Sequence, residues 1–316
     1  MTSQTVINIL YNALSSTPPS QFCQSFFLFA ASAVAAIAVL PADLKQILVD
    51  YGARASSSPS SQKPTNAFLS ILSAITKYTQ VPHSWFAFFY LASLSCSVFW
   101  LGQYLFDGRI LAFIAEQQVR NGKDGTGMGM VQVTVGWVMM TLQALRRIYE
   151  HLFVMRASPK STMWVVHWVL GLGFYIFMSL GVWVEGSGVI LNGTPQQVTT
   201  ETVVKLGVAV PTFFYAWTSQ FRSHRHLSGL KKYSLPTEGL FRWFVCAHYT
   251  CECLLYLSMA VATAPNGVWL NRTLGCALVF VVVNLGVTAS GTRRWYEQKF
   301  GKAAVEGKWN MIPFVF

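Results

Sequence analysis

The sequence predicts an all-α fold: a polytopic integral membrane protein built as a seven-transmembrane-helix bundle. Three observations predict it. Charged residues make up 11% of the 316, against about 25% in soluble domains. Hydrophobic residues make up 53% and gather in runs of roughly 20, the length a helix needs to cross a bilayer core. Many of the 23 Phe, 12 Tyr and 11 Trp residues lie near the ends of those runs, where interfacial anchors sit.

Seven spans follow in order. The first covers about 22–41 (FCQSFFLFAASAVAAIAVLP), followed by a Ser/Pro-rich stretch, ARASSSPSSQKPT, that reads as a flexible loop. The second covers about 82–106, opening at Pro82. The third, about 129–154, carries a basic tail, ALRRIYEHLFVMR. The remaining four cover about 162–184, 203–221, 240–263 and 267–290. No internal repeat is evident. Residues 1–128 read as an N-terminal membrane region with two spans, and 129–316 as a C-terminal domain with five, together forming one structural unit. The N-terminus lacks the positively charged start of a cleaved signal peptide, so the first span is expected to act as an uncleaved anchor.

The net charge is +11. The basic residues sit in loops between apolar runs, so membrane topology accounts for them and a nucleic-acid role is excluded. Lys45, Arg54, Lys63 and Lys77 lie after span one, Arg146, Arg147, Arg156 and Lys160 after span three, and Arg222, Arg225, Lys231 and Lys232 after span five. Arg293, Arg294, Lys299, Lys302 and Lys308 close the chain. Seven spans place all four groups on one side. The positive-inside rule makes that side the cytosol, with the N-terminus lumenal. Loop 2–3, with Arg109, Arg120 and Lys123, runs against the trend. Asn192-Gly-Thr and Asn271-Arg-Thr are glycosylation triplets in loops of the lumenal side. The six Cys lie mostly inside apolar runs without a CxxC pair, which reads as small packing residues.

Two polar clusters interrupt the apolar pattern, and such residues in membrane helices point to function. In LQALRRIYEHL, Arg147 falls at helical spacing from Glu150 and His151. This is either a snorkelling helix end or an anion site. In QFRSHRHLSGLKKYSLPTEGLFRWFVCAHYTCE, a basic stretch precedes Glu252, which shares a helix face with His248 and Tyr249. Glu252 either pairs with an Arg of a neighbouring helix or belongs to a site. A metal is not expected, because too few further ligands accompany the His and carboxylate. No GxGxxG follows a strand, and GKDGTGMGM at 122–130 lacks P-loop spacing and reads as a turn.

The segment HLSGLKKYSLPTEGLFRWFVCAHYTCECLLYLSMA and the ending RRWYEQKFGKAAVEGKWNMIPFVF resemble the C-terminal domain of the steroid 5α-reductase family. The resemblance covers about residues 130–316. LQALRRIYEHLFV and VPHSWFAFFY look most like its fungal polyprenol reductase branch. The resemblance implies NADPH held at the cytosolic side of an endoplasmic reticulum membrane protein. It also implies reduction of the α-isoprene double bond of polyprenol or polyprenal in dolichol synthesis, in support of protein N-glycosylation. The partners would be a long-chain polyprenoid and the bilayer, and a monomer is expected.

Position by position, Gln220, His224 and Lys231 match residues contacting the dinucleotide. Arg147 matches a basic residue near the cofactor, and His248 and Glu252 match an Asn and a Glu near the nicotinamide amide. Arg293 stands where relatives have His, and Tyr296 matches a Tyr of the closing motif. Ala144 stands where steroid reductases place a Tyr that donates to the substrate carbonyl, which leaves the electrophilic group open. Tyr249 and Tyr296 are the candidate donors, with Glu252 beside them.

An isolated C=C accepts hydride poorly. Conjugation to a carbonyl moves the charge onto oxygen, where a donor stabilises it, so the aldehyde is the expected immediate substrate. Alternatives are a 3-oxo-5α-steroid 4-dehydrogenase, a trans-2-enoyl-CoA reductase, or an S-adenosylmethionine-dependent relative of the prenylcysteine methyltransferases. A seven-helix transporter or receptor is the non-enzymatic alternative. A transporter would be expected to show repeated halves or broken helices.

Overall fold

The computed structural model describes residues 16–41, 67–122, 128–155, 161–193, 197–231 and 233–316, together with positions 5, 44 and 47. The Ser/Pro-rich loop, and Lys45, Arg54, Lys63, Lys123, Arg156, Lys160 and Lys232, lie outside the described residues.

Among the described residues the fold is all-α apart from one short ribbon. Helix α1 spans Pro19–Ala38, α2 Ala67–Tyr78, α3 Ala87–Leu105, α4 Arg109–Asn121 and α5 Met130–Tyr149. Helix α6 spans Val165–Gly181, α7 Ser187–Asn192, α8 Thr200–Gly229, α9 Ala247–Ala262 and α10 Arg272–Phe300. Strands β1 (Gln80–Pro82) and β2 (Thr162–Trp164) pair antiparallel with Val81 opposite Met163, tying the start of α3 to the start of α6.

Among the described residues, four stretches are long and apolar enough to cross a membrane: Pro19–Ala38, His83–Leu105, Val165–Asn192 and Arg272–Phe300. The chain is thus a membrane-type helical protein. Helices α5, α8 and α9 lie where the other three spans were expected, but α9 has only 16 residues, and α5 and α8 carry the polar groups described below.

Most boundaries moved for local reasons. Helix α1 starts three residues early because Pro19 occupies its first turn, where a missing N–H costs nothing. The third span divides into α5 and a π-helical turn, Glu150–Val154, closed by Met155 N–H bonding Glu150 O at 2.7 Å. The sixth begins at Ala247 rather than near 240: Gly239 at φ +58 turns the chain into a 3-10 turn, Gly239–Arg242, and a left-handed φ favours glycine. Helices α2, α4 and α7 were read as loop. Helix α4 is amphipathic, burying Leu111, Ala115 and Gln118. Its Gln118 Oε1 accepts the N–H of Ser20 at 2.9 Å, capping α1.

Bonds between helices fix their directions. Gln132, near the start of α5, donates to Ala262 O and Ala264 O (3.3 and 2.6 Å) at the end of α9. At the other end of α5, Gln143 Nε2 donates to Gln220 Oε1 late in α8, and Gln220 Nε2 donates to His248 O at the start of α9. Lys205, early in α8, donates to Ala264 O and Pro265 O. So α5 and α8 run parallel, and α9 opposes both. Trp137 Nε1 donates to Ser97 O, setting α3 against α5. Gln24 of α1 donates to Thr273 Oγ1 of α10 at 3.1 Å, so those two run together. The core among them holds Phe27, Phe174, Met178, Phe213, Tyr256 and Met259.

The end holding Lys205 is a structural clasp. Lys205 is fully buried and pairs with Glu201 at 2.6 Å, whose carboxylate also accepts the N–H of Gly267. Asn271, also fully buried, caps α10: Oδ1 accepts from Leu274 N–H at 2.9 Å, and Nδ2 donates to Thr263 O at 3.2 Å. Its amide is thereby committed to the fold and closed to a glycan, whereas Asn192 is exposed. Asn271→Ala is expected to lower stability by about 1 kcal/mol, the usual cost of a lost N-cap, read as a lower melting temperature in detergent.

Candidate functional site

The opposite end of α5, α8 and α9 carries a buried network built by helical spacing. On α5 and its π turn, Arg146 and Arg147 each lie three or four residues from both Gln143 and Glu150. On α8, Trp217, Gln220 and His224 succeed one another at intervals of three and four, and on α9 His248 and Glu252 lie four apart. The π turn begins at Glu150, and such turns recur at functional sites.

Glu150 is 0% exposed and anchors the network. Its Oε2 takes an ion pair from Arg147 and lies 2.8 Å from His224 Nδ1. A carboxylate only accepts, so the Nδ1–H tautomer of His224 satisfies it. Its Oε1 faces Arg146 Nη1 at 3.3 Å as an ion pair without hydrogen-bond geometry. Arg146, 5% exposed, also donates to Gln143 Oε1 at 2.7 Å, to Gln220 Oε1 and to Trp217 O, with its guanidinium 5.1 Å from the Trp217 ring centre.

Gln220 uses its whole amide. Oε1 accepts from Arg146 and Gln143, and Nε2 donates to His248 O at 3.2 Å and to Glu252 Oε2. Two guanidiniums and two carboxylates therefore share one connected cluster, with a formal sum of zero. This matters because an unpaired charge out of water is costly. His248 Nδ1 is buried, with no hydrogen-bond partner among the described residues. Its ring lies 5.5 Å from that of His224 and 4.2 Å from that of Tyr249.

Arg147 turns inward. Besides Glu150, its guanidinium donates to the Tyr90 hydroxyl of α3 and sits 4.8 Å from that ring's centre. Tyr90 in turn meets Tyr175 of α6, ring centres 6.0 Å apart.

Of the residues singled out in the sequence, the network brings together Arg147, Gln220, His224, His248 and Glu252. Tyr249 adjoins it through His248. Lys231 is exposed on the segment after α8. Tyr296 lies in a separate apolar cluster with Val245, Cys246, Ala289, Val305 and Met311. Arg293 holds the C-terminal segment, donating to Lys308 O (2.8 Å), Val305 O (3.1 Å) and Asn310 Oδ1 (3.2 Å), and pairing with Glu297. Gln143, Trp217 and Tyr90 were not singled out. The spacing of Gln143 from Arg146 and of Trp217 from Gln220 carries a signal for the first two. Tyr90 closes the VPHSWFAFFY stretch that carries the branch resemblance, but no spacing within that run gives it a role.

Residues 161–316 match the family described as 3-oxo-5-alpha-steroid 4-dehydrogenase. The chain belongs to the steroid 5α-reductase family. It is 26% identical to the polyprenal reductase of Drosophila melanogaster over 271 residues, 76% of this chain and 78% of that one. It is 26% identical to the polyprenal reductase of Saccharomyces cerevisiae over 253 residues, 80% and 81% of the two chains. With the polyprenal reductase of Xenopus tropicalis it shares 28% over 208 residues, 59% and 62%. The network straddles the family match: Gln220, His224, His248 and Glu252 lie within it, while Tyr90 and the α5 residues precede it.

Proposed function

We infer that this chain is an NADPH-dependent reductase of the α-isoprene double bond of polyprenal, working in dolichol synthesis from the endoplasmic reticulum membrane. The observation that carries the reading is the Gln220–Glu252 pair beside the unpartnered His248 Nδ1. Exposed Arg222, Arg225 and Lys231 belong to the same end of the bundle.

These residues fit a nicotinamide dinucleotide. Glu252 offers an acceptor to a carboxamide N–H₂, and His248 Nδ1 stands available for its other side. The exposed cations suit phosphates, including the 2′-phosphate that separates NADPH from NADH. When bound, NADPH supplies the hydride. Gln220 orients Glu252. Arg147, enclosed by Glu150, His224 and Tyr90, braces the three helices and acts on substrate through the last of these. The polyprenal reductases of fly and yeast, aligned over three quarters or more of this chain, support the substrate class.

The same reading makes the protein a seven-span bundle, with α5, α8 and α9 as the three less apolar spans. Their polar side chains meet one another rather than lipid, the arrangement membrane helices require. The alternating helix directions support it. The basic end, with Arg222, Arg225, Lys231 and Arg242 exposed, is cytosolic by the positive-inside rule, leaving the N-terminus lumenal.

The test uses detergent-purified protein, polyprenal and NADPH deuterated at the transferred position. A product heavier by one deuterium and one hydrogen, with deuterium at the β-carbon, is expected. Deuterium-free product, or none, would overturn the reading.

A further inference from the structure

Conjugate reduction of an aldehyde builds negative charge on the carbonyl oxygen, so the site needs a hydrogen-bond donor there. In the sequence, Tyr249 and Tyr296 are the candidate donors. Tyr296 belongs to the apolar cluster under the C-terminal segment, and Tyr249 packs on His248. Ala144, buried on the α5 face that also carries Arg147, has no donor to offer.

We propose that Tyr90 is the catalytic residue that donates its phenolic hydrogen bond to the aldehyde oxygen of the substrate. The proposal rests on the polyprenal reading above. Tyr90 is 5% exposed and faces the network from α3. Its oxygen accepts from Arg147, which leaves the O–H as the group it can direct to a ligand. A guanidinium on the phenol oxygen strengthens that O–H as a donor. Arg147 is held in turn by Glu150 and, through it, by His224, so the donor is fixed before substrate arrives. The surrounding rings, Tyr175 and His151, keep water from the bond.

The β-carbon gains a hydride from NADPH, which is oxidised to NADP⁺. The C=C π pair moves to form the C=C of an enolate, and the carbonyl π pair moves to oxygen, where Tyr90 holds it. The α-carbon then takes a proton derived from water, the C=O re-forms, and the saturated aldehyde leaves. Tyr90 ends the cycle protonated.

The experiment compares wild type with Tyr90→Phe, which keeps the ring and removes only the hydroxyl. Three quantities are read: kcat with polyprenal, the Kd of NADPH, and the infrared C=O stretch of polyprenal labelled with ¹³C at the aldehyde and bound without cofactor. The expected result is a kcat lower by about 10²–10³-fold, the usual effect of deleting one oxyanion donor, with the NADPH Kd unchanged. The bound C=O stretch should lie below its value in detergent alone for wild type and return to that value in the variant. Wild type active on polyprenal with Tyr90→Phe equally active overturns the proposal alone, as does an unmoved C=O stretch. Loss of NADPH binding in the variant also overturns it, by making the hydroxyl a structural group. Wild type inactive on polyprenal overturns the substrate reading and the proposal with it.

Discussion

Glu150→Ala is expected to cost about 3–5 kcal/mol, the range for removing one partner of a buried ion pair. Glu150 is completely enclosed and faces Arg146, Arg147 and His224 at once. Without it, two guanidiniums remain out of water with Glu252 alone to balance them. The variant should yield little folded protein, or melt many degrees lower in detergent. Replacing the ionised centre with an apolar group of similar volume is a different experiment, since fully apolar substitutes for buried ion clusters can be neutral. Glu150→Gln retains the shape but loses the charge, and should fall between wild type and Ala. A Glu150→Ala protein as stable as wild type would mean that this cluster does not hold the three helices together.

Glu252→Gln should separate binding from folding. The substitution preserves an acceptor for Gln220 Nε2, so the contact between α8 and α9 survives. It removes the charge offered to the carboxamide. A hydrogen bond to a charged group contributes roughly 1.5–3 kcal/mol, so the Kd for NADPH should rise about 10- to 150-fold with only a small change in melting temperature. Titration of NADPH fluorescence measures it. An unchanged Kd would remove Glu252 from the cofactor site and return it to a structural tie.

The bundle was legible because its signal is coarse. Apolar runs of membrane length mark α1, α3, α6 and α10 regardless of detail. The ends were less legible because they depend on single residues, such as Pro19 in the first turn of α1 and Gly239 at a left-handed turn. Helix α4 was missed because it is short and amphipathic, its apolar positions interrupted by Glu116, Gln117 and Gln118.

The site was half legible for a related reason. Charges inside apolar helices stand out, so Arg147, His248 and Glu252 could be found from their helical spacing. How they pair could not. Arg147 was expected near the cofactor, and its donors are directed to Glu150 and Tyr90. Gln220 was expected at the dinucleotide, yet its amide is fully engaged in the network. Tyr90 lies in a stretch that carries the branch resemblance, but its role was hidden because its partner is 57 residues away on another helix, and that proximity exists only after packing.

The most direct test of the account offers polyprenal, polyprenol and a 3-keto-4-ene steroid separately to the detergent-purified protein. NADPH oxidation is followed and products are identified by mass. Polyprenal alone is expected to gain two hydrogens, with oxidation of NADPH in equal amount. Turnover of the steroid alone, or oxidation with none of the three, would contradict it.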